Sequence, residues 1–152
     1  LLLIKDYYEN QWFPYTMPAS DIMGLRVAID NYLKDAGFQK RHEQLAKAVR
    51  NAVEKAGLKL YLESGFSNNV TVIEIPEGIT EDEILSGLRD EFGILISGCF
   101  DVLKGKVVRI GHMGENANKE DLAQTLAGLQ KILEARGIKL TCKMKDEFLL
   151  SC

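Results

Sequence analysis

Apolar residues in the first part of the chain recur at helical spacing. Behind Ser20, the positions Ile22, Leu25, Ile29 and Leu33 fall on one stripe, and Gly37 is placed to end that helix. A second, longer helix continues through FQKRHEQLAKAVRNAVEKAG, with Leu45, Val49, Ala52, Val53 and Ala56 on one side and Gly57 as terminator. After Gly57 the period shortens to two. LKLYL (58–62) and VTVIEI (70–75) read as strands joined through ESGFSNN, the second ending at Pro76. Thr80 and Glu83 have the spacing of a capping box ahead of Ile84, Leu85, Leu88 and Phe92, so a short helix follows. ILISG (94–98) and KVVRIG (106–111) are the next candidate strands. Asn118 and Asp121 then open a last helix carrying Leu122, Leu126, Leu129 and Leu133 and closing near Gly137. Residues 138–152 read as a tail or an added strand. The predicted order α-α-β-β-α-β-β-α is that of an α+β fold, a mostly antiparallel sheet with helices packed on one face.

Composition narrows the function classes. The 152 residues are 46% hydrophobic and 27% charged, with a net charge of −3, so the chain is ordinary globular material without the clustered positive charge that nucleic acid requires. The opening LLLI is too short for a membrane span or a signal peptide. Three cysteines at irregular spacing fit a reducing compartment, and the expected location is the cytoplasm. No Met opens the chain, which reads as a piece of something longer.

Most reactive constellations fail on inspection. His42 and His112 have no Cys, Asp or Glu at metal-ligand spacing, so no metal site is expected; both read as ordinary histidines, His42 on a charged helical stretch and His112 at a strand end. The run from Gly98 to Gly105 and Lys106 is too long for a phosphate loop and has Val107 where a magnesium-binding hydroxyl belongs. Cys99 has no identifiable activating base. The acids Glu81, Asp82 and Glu83 read as a solvated helix start that complements the dipole. No residue of the chain is assigned a catalytic role.

Arg109 is different, because it interrupts the apolar run Val107, Val108, Ile110. With a period of two, Arg109 stands on the face opposite Val108 and Ile110. Two readings remain open: a snorkelling arginine on a solvated face, or a planar fork that receives a carboxylate through two parallel hydrogen bonds beside the space left by Gly111.

Several stretches in order, FPYTMPASDIMGLRVAID, SNNVTVIEIPEGI and DEFGILISGCFDVLKGKVVRIGHMG, together with the leucine-rich helix, resemble the C-terminal part of class V pyridoxal-phosphate aminotransferases. The similarity runs from about Tyr15 to Gly137 and is greatest to the alanine:glyoxylate, serine:pyruvate and serine:glyoxylate branch. The resemblance implies the small domain of a fold-type I enzyme, with residues 1–19 an extended segment from the end of the large domain and 20–137 the small domain including the connecting helix. It also implies a homodimer using pyridoxal 5'-phosphate to move an amino group from alanine or serine to glyoxylate or pyruvate. Arg109 matches the family's substrate-carboxylate arginine. Thr16 matches the threonine that reaches the cofactor phosphate of the partner subunit. Phe13 departs from relatives that carry a phosphate-binding tyrosine there, and no lysine of this chain matches the Schiff-base lysine, so this chain alone is expected to be inactive. The alternatives are a stand-alone amino-acid-binding or regulatory module, or a lyase or hydrogenase-associated relative of the same class.

Overall fold

The computed structural model describes residues 2–12 and 16–152, in two units, Leu1–Phe38 and Gln39–Cys152. In the first unit, LLIKDYYE contains neither Gly nor Pro and folds as helix α1 (Leu2–Glu9), with Lys5 and Glu9 3.6 Å apart across one turn. Residues 2–9 are thus helical, where an extended segment is expected. Helix α2 (Ala19–Lys34) starts behind Pro18 and ends before the expected stop at Gly37. Its predicted stripe Ile22, Leu25, Ile29 and Leu33 exists, yet none of its residues is buried within this unit. The rings of Tyr32 and Phe38 meet at 4.5 Å across the break that follows.

The second unit is organised by a short antiparallel pair, β1 (Val70–Glu74) and β2 (Val107–Gly111), in which Thr71 faces Ile110, Val72 faces Arg109 and Ile73 faces Val108. Thr71, Ile73, Val108 and Ile110 are buried on the same side. Against them pack α3 (Phe38–Lys55), through Leu45, Val49, Ala52 and Val53, and α4 (Glu81–Phe92), through Ile84 and Leu88. Helix α5 (Lys119–Ala135) adds Leu122, Leu126, Leu129 and Leu133. The predicted starts hold: Thr80 and Glu83 form both halves of the capping box, and Asn118 accepts from the Asp121 amide. Where α4 meets α5, a Cβ on Gly87 would come within 2.6 Å of the Ile132 Cδ1, so a larger residue there would displace that side-chain tip.

Two predicted strands shrink to single bridges. Leu60 bridges Ile73 on the outer edge of β1, and Ser97 bridges Arg109 on the outer edge of β2. The first cannot lengthen because the chain turns into the exposed stretch 61–69; the second stops where Gly98 bends away against the Glu81 carboxylate. The four extended segments are still antiparallel neighbours.

The C-terminal stretch is also corrected. It is neither a tail nor a strand but helix α6 (Met144–Ser151), because Met144 and Phe148, one turn apart, both enter the core. Gln130 accepts from the Met144 amide at 2.9 Å, and Lys55 pairs with Glu147 at 2.8 Å. Phe148→Ala should therefore destabilise the protein by about 3–5 kcal/mol in urea unfolding, whereas an unpacked tail would register almost nothing.

His112 ties the end of β2 to the loop before β1. Its Nδ1 lies 3.0 Å from the Asn68 carbonyl, which can only accept, so Nδ1 carries the proton and Nε2 accepts from the Thr71 hydroxyl at 2.9 Å. Burial lowers its pKa from 6.5, and the charge of nearby Arg50 adds to that, against the hydrogen bond to Asn68. The unfolded chain therefore takes up this proton first as pH falls. The stability contributed by neutral His112 is complete above 6.5 and is lost progressively below it, down to the folded pKa. Unfolding free energy measured between pH 7 and pH 5 should fall with a slope that His112→Gln flattens, by at most about 1.4 kcal/mol per pH unit. An unchanged slope in the variant would assign the pH dependence to other groups.

Candidate functional site

The site is built from the alternation of β2. The Arg109 amide donates to the Ser97 carbonyl at 2.7 Å and its carbonyl accepts from the Ser97 amide at 3.2 Å, so both main-chain groups are used on that edge. On the other edge Arg109 faces Val72 across the non-hydrogen-bonded position, where side chains stand close. Burial of Val108 and Ile110 leaves Arg109 half-buried on the opposite face, as the period of two predicts.

Among the described residues the guanidinium is held through Nε alone. Nε donates to the Gly98 carbonyl at 2.7 Å, and the Phe100 ring lies 5.7 Å away. Among the described residues no carboxylate lies within ion-pairing distance of Arg109, whereas Arg26, Arg89 and Arg136 each have one. With Nε tied, the plane of the guanidinium is set, and the two terminal nitrogens form the fork that suits a carboxylate. The geometry suits the recognition of a carboxylate rather than bond-making at this position.

The acidic run at the start of α4 is not uniformly solvated, contrary to expectation. Asp82 is exposed and Glu83 serves the cap and an ion pair with Arg136 at 2.9 Å. Glu81 is half-buried and accepts from the Cys99 amide at 3.2 Å and the Gly105 amide at 2.6 Å. Thus the glycine-bounded loop that failed as a phosphate loop does hold an anion, supplied by the chain itself. No signal in the local sequence reveals this, because the partners lie 18 and 24 residues away.

Thr16 is exposed in the unit Leu1–Phe38, while Arg109 belongs to Gln39–Cys152. Phe13 and Tyr15 lie outside the described residues. His42, expected on a charged face, is buried and accepts from the Gly114 amide at 3.2 Å. Burial pushes the thiols of Cys142 and Cys152 up, and a raised thiol pKa disfavours the nucleophilic thiolate. Among the described residues no helix is long and apolar enough to cross a membrane.

No protein-family model matches the chain. Known proteins do. An uncharacterized aminotransferase of Methanocaldococcus jannaschii is 39% identical over 145 residues, covering 92% of this chain and 37% of the relative. The serine–glyoxylate aminotransferase of Arabidopsis thaliana is 35% identical, covering 88% of this chain and 34% of its own length. The crystal structure of pyridoxamine-pyruvate aminotransferase from Mesorhizobium loti superposes with a TM-score of 0.83 at 33% identity, over 91% of this chain and 37% of that one. The chain thus spans little more than a third of the relatives it matches. In sequence and in fold alike, the chain is a relative of a C-terminal part of the class V aminotransferases.

Proposed function

We propose that this chain is the substrate-recognition portion of a pyridoxal-phosphate-dependent aminotransferase that moves an amino group from a small amino acid, alanine or serine, to glyoxylate or pyruvate. The observation that carries the reading is Arg109, half-buried, fixed through Nε and without a carboxylate partner among the described residues. Its fork takes the α-carboxylate of the amino acid and so orients the bonds at the α-carbon, a positioning contribution. The names of the relatives, in which serine, glyoxylate and pyruvate recur, support this substrate class.

Pyridoxal phosphate supplies the electron sink that amino transfer needs. Thr16, with an exposed hydroxyl, suits a phosphate oxygen and is assigned that contact across a homodimer in the cytoplasm. By the family resemblance, the lysine that anchors the cofactor belongs to an upstream portion, so the small domain runs from residue 20 and takes in α6, preceded by a segment of the large domain. The exposed apolar side chains of α2 suit an element that such a portion covers.

In the full-length enzyme, Arg109→Lys keeps the charge but loses the fork. Steady-state kinetics should give a higher substrate KM and a kcat/KM lower by ~10–100-fold, from roughly 1.5–3 kcal/mol of charge-assisted hydrogen bonding. Unchanged kinetics would return Arg109 to a solvated surface role. The 152-residue chain mixed with pyridoxal phosphate should transaminate no faster than the free cofactor, and activity above that level would refute the assignment of the chemistry to an upstream portion.

A further inference from the structure

We infer that Glu81 is a positioning residue for carboxylate recognition, acting on Arg109 through the loop from Gly98 to Gly105. The inference rests on the assignment of Arg109 to the substrate carboxylate and adds the element that aims it.

Glu81 is the first residue of α4, and its two oxygens close the loop like a clasp. Oε1 takes the Cys99 amide at 3.2 Å and Oε2 the Gly105 amide at 2.6 Å, one near each end. Among the described residues no Lys or Arg pairs with Glu81, so its charge is met by these amides and by the positive end of the helix. The fit at Gly98 is close: a Cβ there would stand 1.3 Å from Oε1. The same Gly98 presents its carbonyl to Arg109 Nε at 2.7 Å. One peptide segment thus has its backbone against the carboxylate and its carbonyl on the guanidinium.

Local turns hold part of this loop, since the amides of Leu103, Lys104 and Lys106 donate to the carbonyls of Phe100, Asp101 and Leu103 at 3.1, 3.2 and 3.1 Å, but one position departs from local preference. Asp101, at φ 49, lies in the left-handed region that a residue with a Cβ disfavours, whereas Gly105, at φ 74, occupies it without that cost. Such a backbone persists when outside contacts over-determine it, and Glu81 supplies two. Phe100, whose ring lies 5.7 Å from the guanidinium, is carried by the same loop. Loss of the clasp would free the Gly98 carbonyl and let the guanidinium turn, so that binding an acid would have to order it again.

The experiment is a double-mutant cycle in the full-length enzyme with Glu81→Gln and Arg109→Lys. Gln is isosteric but turns an NH2 group towards one of the two amides, and it leaves the Thr80–Glu83 capping box intact. Glu81→Gln should raise the amino-acid KM roughly 3–10-fold with kcat within about twofold, and change KM less than about twofold when Arg109 is already Lys. Gly98→Ala, which pushes on the same carboxylate from the loop side, should reproduce this pattern and serves if the first variant folds poorly. A KM effect of equal size in both backgrounds, or none while Arg109→Lys raises KM, would overturn the role of Glu81 and leave Arg109 standing. No effect of Arg109→Lys would overturn both.

Discussion

The register between β1 and β2 is the constraint from which the rest follows. Pairing Val72 with Arg109 sets Ile73 against Val108 and Thr71 against Ile110 on the buried side. A slip by one residue would turn Arg109 towards the helices and Val108 towards the outer face, exchanging a buried methyl-rich contact for a guanidinium without a partner. Because one face is committed to the core, the opposite face can carry a charge in a fixed position. The helices stabilise the register, and the register places the arginine.

That arrangement is tied down from both ends of β2. At one end, buried His112 joins the strand to Asn68 and Thr71 and makes the junction sensitive to protonation. At the other, Glu81 organises the loop that precedes the strand. Between them, Arg109 shares both main-chain groups with Ser97 and keeps its terminal nitrogens available. The charged groups have different energetic weight: exposed pairs such as Arg89 with Asp90 contribute little, whereas Arg109 is half-buried and, among the described residues, tied through Nε without a carboxylate partner.

The relatives give this geometry its context without completing it. Under the proposed function, a chain matching about a third of their length would contribute a recognition surface and a scaffold, and the chemistry of amino transfer would require groups beyond it. A contiguous portion can form its own core, because α3 to α6 and the strand pair bury their apolar faces on one another.

The sequence by itself determined what depends on neighbours along the chain: helices α2 to α5, the Thr80 and Asn118 caps, the alternation of β2 and the face on which Arg109 stands. The failed phosphate-loop spacing between Gly98 and Gly105 was equally legible. Only the tertiary structure decided that two predicted strands end as single bridges, that residues 144–151 fold as a helix over the core, and that His42 and His112 are buried. It alone brought Glu81 to the loop beside Arg109. Periodicity and capping are local, carried by residues within a turn or two. Burial, and the pairing of a carboxylate with amides 18 and 24 residues away, depend on how distant segments meet, and no short window of sequence encodes that meeting.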